Sequence, residues 1–256
     1  MALRQSKKKR PKREVKQMKE ERRLESDVFD RPALLAITKL RQKGLFDTVD
    51  YPIAKGKEAN VFRATDSSGK HVAVKIYRIE TSNFVRMHDY LDGDPRFSQT
   101  SRRRFETILA WTRKEFSNLK AFHRAGVPVP EPYGFLRNIV AMEFFGEAGV
   151  PFSPLDSIGS ASPQEDYEFL LLQLRKIYGL GFVHSDISEY NIIVADSGLK
   201  ILDCAQAVLL SHPRAEDFLR RDVENLVKYF GKQGAKTDFE SALAFVRGTG
   251  KAASPG

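Results

Sequence analysis

Five residues carry most of the chemistry legible in this chain: a lysine, a glutamate, an asparagine and two aspartates. His184, Asp186 and Asn191 lie in "VHSDISEYNII", residues 183–193, as H-x-D-x-x-x-x-N between apolar flanks. Asp203 follows twelve residues after Asn191, at the end of the apolar run "LKIL". Amide and carboxylate oxygens suit a hard cation, Mg²⁺ or Mn²⁺, that keeps part of its water shell and binds phosphate oxygens. Asp186 is then free to orient or deprotonate an attacking hydroxyl or water. His184 has no ligand role in this scheme and reads as a core or loop-bracing histidine.

Phosphate chemistry also needs a cation. "HVAVKIY" sets Lys75 in a strongly apolar strand, fourteen residues after Val61. A lysine there is costly unless partnered. Glu115 is the chosen partner, beside Phe116 near the apolar face of a helical pattern running from Phe105; Glu106 sits one turn too early. The loop "AKGKEANVF" keeps one glycine, Gly56, of the pattern G-x-G-x-x-G-x-V. Gly56, Lys57, Glu58 and Ala59 face the phosphates in this reading. Val61 and Ala73 cover a flat base. In chain order Gly56, Lys75, Glu115, Asp186, Asn191 and Asp203 match a phosphoryl-transfer template with ATP as donor.

These residues need elements to hold them. "DRPALLAITKLRQKG" reads as a helix capped by Asp30, with Leu34, Leu35, Ile37 and Leu40 as its apolar stripe. Residues 51–79 read as two or three antiparallel strands, with "DSSGK" as a hairpin turn. Residues 81–104 are polar, broken by Gly93 and Pro95, and read as a mobile loop or short helix that orders on binding. A helix from Phe105 to Gly126, a Pro-rich crossing and a buried strand at 139–142 follow. Residues 146–161 are rich in Gly, Ser and Pro and read as a linker. "SPQEDYEFLLLQLRKIYGLG" begins as a capping box of Ser162 and Glu165. A small hairpin at 192–202 and a helix from 215 to 230 complete the outline. The expected class is α+β: a two-lobed, trimmed kinase-like fold with an antiparallel N-lobe (49–145) and a mainly helical C-lobe (146–235). Residues 25–48 form a helical extension, and 236–256 a C-terminal segment with a disordered tail.

The chain has 256 residues and a formal net charge of +9. Residues 1–24 hold six Lys, five Arg and three Glu, so nearly all the excess lies in this arm. A basic, aromatic-free arm predicts contact with nucleic-acid phosphates without base stacking. The one cysteine, Cys204, excludes a disulfide framework and a multi-cysteine zinc site. No apolar run reaches the length of a membrane span, and no secretory leader is evident. The expected setting is the cytoplasm.

The segments "GKEANVF", "YLDGDPRF", "RKEFSNLKAFHRAGVPVPEPYGF", "HSDISEYNII" and "LKILDCAQAV" resemble the RIO family of atypical serine/threonine protein kinases, its type-one branch most closely. The resemblance covers roughly residues 30–230. It implies that Lys75 meets the ATP phosphates, that Glu115 is its helix partner and that Asp186 is the catalytic aspartate. It implies that Asn191 and Asp203 bind the metal, that Met142–Phe145 form the hinge and that Asp222 braces the catalytic loop. It further implies that Asp203 can itself accept phosphate, and that ATP hydrolysis accompanies maturation of the small ribosomal subunit, with ribosomal RNA met by the basic arm. "DCA" stands where ordinary protein kinases have D-F-G, no A-P-E follows, and 53 residues remain after Asp203. An ordinary peptide-docking region does not fit in that length, which reads as a minimal, archaeal-style member.

Two other functions fit parts of the pattern. An aminoglycoside-kinase-like small-molecule phosphotransferase shares H-x-D-x-x-x-x-N, but its usual "HGDLHPGN"-like loop and longer acidic lobe are not seen here. A nucleotide-gated RNA-binding factor without turnover fits the arm. Ser98, Thr100 and Ser101, beside Arg102–Arg104, are expected autophosphorylation sites.

Overall fold

Period-two alternation gives the N-terminal half two faces with different jobs. The structure, a computed structural model, describes residues 31–80, 83–97 and 99–249. Helix α1 (Arg31–Gln42) precedes strands β1 (Thr48–Lys55), β2 (Ala59–Thr65) and β3 (His71–Tyr77). Strands β4 (Pro132–Leu136) and β5 (Ile139–Glu143) complete an antiparallel sheet of order β1-β2-β3-β5-β4. The hairpin at 66–70 closes as expected: Asp66 Oδ1 accepts from the Ser68 and Lys70 amides, and Gly69 takes φ +84°.

On the back face Phe62, Ala64, Val72, Val74, Ile76, Ile139 and Ala141 pack with Ala36, Ile37 and Leu40 of α1. The α1 stripe therefore differs from the expected one. Ala33, Ala36, Ile37 and Leu40 are buried, whereas Leu34 and Leu35 are exposed. Spacing of three and four residues selects one helix face, and the alanines allow close approach to the sheet. Asp30 lies outside the described residues.

The front face carries Val61, Ala73, Lys75, Tyr77, Val140 and Met142, and it looks onto helix α3 (Arg104–Arg124) and the C-terminal half. Of the two forms expected for this segment, a loop or a short helix, residues 83–97 take the helical one. They form helix α2 (Phe84–Leu91), capped by Asn83, with Met87, Tyr90, Leu91 and Phe97 buried. Tyr90 stacks on Phe218 at 4.9 Å and meets Trp111 edge-on at 5.9 Å, so the segment bridges the two halves. Its four apolar anchors are scattered among polar residues, which left loop and helix both open from sequence.

The linker region folds as a short hairpin, β6 (Gly146–Glu147) with β7 (Val150–Pro151), and one turn, α4 (Leu155–Ile158). Helix α5 (Pro163–Gly179) follows, then β8 (Phe182–Val183), the hairpin β9 (Ile192–Ala195) and β10 (Gly198–Ile201), β11 (Val208–Leu209), α6 (Ala215–Lys232) and α7 (Phe239–Val246). The capping box of α5 is not made. Ser162 makes no side-chain cap bond, and Ser160 Oγ instead donates to Asp166 Oδ2 at 2.6 Å. Helix α7 was not anticipated. Asp238 caps it through the Ser241 amide at 2.8 Å, and Ala242, Leu243 and Val246 bury its inner face.

Candidate active site

Lys75 points from the front of β3 into a buried ion cluster. Its Nζ lies 2.6 Å from Glu115 Oε1 and 3.1 Å from Asp203 Oδ1. Tyr77, two residues on and on the same face, donates its hydroxyl to Glu115 Oε2 at 2.6 Å. Burial works against the charge on Lys75, but Asp203 and Glu115 outweigh it and hold its pKa above the ordinary lysine value. Burial pushes Glu115 upward, and the Lys75 ammonium pulls it back. Both oxygens of Glu115 accept strong hydrogen bonds, so the pair is ionised. Glu106, on the exposed first turn of α3, takes no part.

The spacing between Asn191 and Asp203 is set by a hairpin. Ile192 pairs with Ile201, so Asn191 and Leu202 flank the same end, and the Leu202 amide donates to Asn191 O at 2.7 Å. Asp203 then turns out of the hairpin with φ +54°, which a residue with a Cβ adopts only where its surroundings hold it. It keeps 37% of its side chain exposed. Burial acts to raise its pKa, but Lys75 and the Ala205 amide lower it overall.

The loop that carries Asp186 hangs from α6. Both oxygens of the buried Asp222 accept backbone amides, Ser185 N at 2.6 Å and Ile187 N at 3.0 Å. Arg221 donates to Ser185 O, and Asn225 donates to Ile187 O at 2.8 Å. Asn191 Nδ2 donates to the Asp186 carbonyl and to Asp186 Oδ2, each at 2.9 Å. Gln206 Nε2 adds a bond to Oδ2 at 2.8 Å. The nitrogen of Asn191 is thereby committed, leaving its carbonyl oxygen for a cation. His184 is fully buried, stacked toward Phe122, with both ring nitrogens unpaired. Burial lowers its pKa to about 4, so it is a neutral core histidine.

Above these groups the β1–β2 turn is tight. The Gly56 amide bonds Ala59 O, and a Cβ at Gly56 would meet that oxygen at 2.9 Å. The glycine is therefore required by the turn itself. Lys57 is exposed, Glu58 is half-buried and Ala59 is buried. Val61 pairs with Lys75 across the sheet, and Ala73 pairs with Met142. Glu143 N donates to Glu131 O and Phe145 O accepts from Phe152 N, which fixes the 143–145 crossing. Thr100 is half-buried and Ser101 is exposed. Ser98 and the basic arm lie outside the described residues.

Sequence spacing did not reveal Tyr77, Gln206 or Asn225, whose contacts arise only through space. Among the described residues no three His, Cys, Asp or Glu side chains gather tightly enough to hold a metal alone. The carboxylates nonetheless crowd. Burial, then the Asp203 charge, raise Glu58 and push Asp186 up to about 6. Ionising Asp186 therefore costs the folded state, fully above pH ~6 and not at all below pH ~4, where folded and unfolded chains both hold the proton. Asp186→Asn is expected to raise the thermal midpoint at pH 8 by roughly 3–6 °C, from about 1–2 kcal/mol after discounting for partial exposure, and to leave it unchanged at pH 4. Melting curves at the two pH values check this; an equal shift at both would contradict it.

Comparison with known proteins agrees with this geometry. The RIO domain profile matches residues 60–242. The RIO-type serine/threonine-protein kinase Rio1 of Haloferax volcanii is 44% identical over 226 residues, covering 88% of this chain and 78% of that protein. Rio1 of Thermoplasma acidophilum is 36% identical, covering 73% and 98%. Among solved structures, the Rio2 kinase–ADP/Mg²⁺–phosphoaspartate complex from Chaetomium thermophilum superposes with a TM-score of 0.66 at 23% identity, covering 84% of this chain and 65% of that one. Among the described residues no helix is long and apolar enough to cross a membrane. With the family profile matched over most of its length, the chain belongs to the RIO family of serine/threonine protein kinases.

Proposed function

We propose that this kinase binds ATP with Mg²⁺ or Mn²⁺ in the cleft between its halves, and that Asp186, Asn191 and Asp203 form the reacting centre. The observation that carries this is the position of Lys75 Nζ between Glu115 and Asp203. A fixed ammonium there binds the α- and β-phosphates. The carbonyl oxygen of Asn191 and the carboxylate of Asp203 fit a hard cation, and phosphate oxygens complete its shell. Such a cation, when bound, neutralises charge on the phosphates. Val61, Ala73 and Met142 enclose the adenine, and the backbone of Glu143 to Phe145 meets its edge. Gly56, Lys57, Glu58 and Ala59 cover the triphosphate.

Asp186 accepts the proton of the attacking hydroxyl. That oxygen bonds to the γ-phosphorus, and ADP leaves with the electrons of the broken β–γ bridge. The attacking hydroxyl comes from Ser or Thr, including autophosphorylation at Ser98, Thr100 or Ser101, or from water. Asp203 is the alternative acceptor through its carboxylate. Little platform for a peptide is available: the chain passes from Asp203 to α6 in twelve residues through β11 alone. This supports self-phosphorylation or hydrolysis over processive modification of peptides. The basic arm supports an RNA partner; ribosomal RNA and small-subunit maturation in the cytoplasm are the form of that partnership we propose from the family resemblance. The named relatives are RIO-type serine/threonine-protein kinases, which favours this reading over an aminoglycoside-type activity.

The test is an assay with γ-³²P-ATP and Mg²⁺ that quantifies released phosphate and protein-bound label. Stable label dependent on Asp186 means a Ser/Thr autokinase. Hydroxylamine-labile label dependent on Asp203 means an aspartyl-phosphate cycle. Neither product, with ATP still bound, overturns catalysis in favour of a nucleotide-gated binding protein.

A further inference from the structure

The backbone that follows Asp203 is suspended from helix α3 by buried polar side chains. Lys114 is fully buried. Its Nζ donates to Ala205 O at 3.0 Å and also to Ala207 O. One turn further along α3, the fully buried Asn118 donates through Nδ2 to Cys204 O at 2.8 Å and Ala207 O at 3.0 Å. Three of the four carbonyls immediately after Asp203 are thus held by two residues of one helix.

The same turn of α3 carries Glu115, which holds Lys75. Both partners of the 3.1 Å Lys75–Asp203 contact therefore refer back to one rigid element. A second tie enters from the segment after α2. Asn118 Oδ1 accepts from Arg96 Nη1 at 2.9 Å, and Arg96 is clamped by the fully buried Asp94 through Nε at 2.9 Å and Nη2 at 2.6 Å.

This arrangement is poorly suited to simple stabilisation. Among the described residues Lys114 forms no ion pair, and what charge it carries is met by carbonyl dipoles, with Asp94 at longer range. Burial lowers its pKa to about 7. An apolar side chain would fill such a slot at lower cost. What the amine and amide do supply is direction. They hold carbonyls that "DCAQA" cannot anchor with the large apolar residue found in D-F-G.

We infer that Lys114 and Asn118 are positioning residues that hold the Asp203 carboxylate at the metal site, with Arg96 and Asp94 coupling the α2 segment to the same loop. This rests on the reading of Asp203 as a metal ligand. Both act through the backbone that follows Asp203, which their side chains hold.

The experiment compares Lys114→Met and Asn118→Leu with wild type and Asp203→Ala. It measures thermal midpoint, metal-free ATP affinity, hydrogen exchange in residues 203–208, and the Mg²⁺ dependence of ATP turnover. Lys114→Met is expected to melt at or above the wild-type temperature and to bind metal-free ATP within about twofold. Exchange over 203–208 should accelerate, and the Mg²⁺ requirement should rise by about 10- to 100-fold, the usual effect of removing support behind a metal ligand. Asn118→Leu should move the same two readouts, which keeps the test open if one variant fails to fold. Faster exchange with an unchanged Mg²⁺ requirement would overturn the inference. So would an unchanged loop. If Asp203→Ala also leaves Mg²⁺ dependence unaltered, the reading of Asp203 fails first and the inference falls with it, a result distinct from failure of the hanger alone.

Discussion

Replacing Lys75 by methionine is expected to lower stability at neutral pH by about 3–5 kcal/mol, because it leaves a buried carboxylate without its cation. For a domain of this size that is a fall of roughly 10 °C or more in the thermal midpoint. Glu115 bears most of the loss: it is almost fully buried, whereas Asp203 keeps 37% of its side chain in solvent. The variant also acquires a pH dependence. Without Lys75 the folded-state pKa of Glu115 rises further, so the folded chain holds a proton that the unfolded chain releases. Stability is then retained at low pH and lost as pH rises through that raised value, making the deficit larger at pH 8 than at pH 5. Adding Glu115→Gln should recover more than half of it, since a neutral amide oxygen still accepts from Tyr77. Denaturant melts of the single and double variants at both pH values provide the check. A pH-independent deficit, or no recovery, would mean that the cluster is not an ionised pair.

Asp203→Ala is expected to do the reverse: a small effect on folding and a large one on chemistry. Asp203 is partly hydrated, and Lys75 keeps Glu115 after its removal, so the midpoint should move by no more than a few degrees. Phosphoryl transfer and ATP hydrolysis should fall by about 10³-fold or more, the several kcal/mol that a held metal contributes to charge stabilisation. Initial rates over a Mg²⁺ series check this. A loss below tenfold that extra Mg²⁺ restores would show that Asp203 assists binding without being essential.

The candidate site groups stand out in the sequence because each interrupts an apolar run with a polar side chain. Lys75 lies in a strand that buries it, and Asn191 and Asp203 flank a hairpin whose ten residues fix their separation, with Asp186 in the polar loop just before it. The supporting groups were not legible. Lys114 and Asn118 read as ordinary polar positions on a long helix, and only the fold brings the 204–207 carbonyls to them. Gln206 and Asn225 are hidden for the same reason. At residues 81–104 a loop and a short helix both fit the sequence, because the buried residues are spread between charges; the helical spacing of Met87, Tyr90 and Leu91 is what the fold uses. At α1, alanines and not Leu34 or Leu35 face the sheet, since closeness of approach decided the buried face over side-chain size. Ser162 and Glu165 matched a capping pattern, but Ser160 supplied the local bonds instead.

The central claim is that one cleft aligns a triphosphate between Lys75 and a cation on Asn191 and Asp203. The most direct measurement is a crystal structure with a non-hydrolysable ATP analogue and Mn²⁺, with the metal located by anomalous scattering. A Mn²⁺ peak is expected at about 2 Å from the Asn191 amide oxygen and an Asp203 carboxylate oxygen, with phosphate oxygens in hydrogen-bond reach of Lys75 Nζ. A metal bound away from both residues, or a triphosphate that bypasses Lys75, would contradict it.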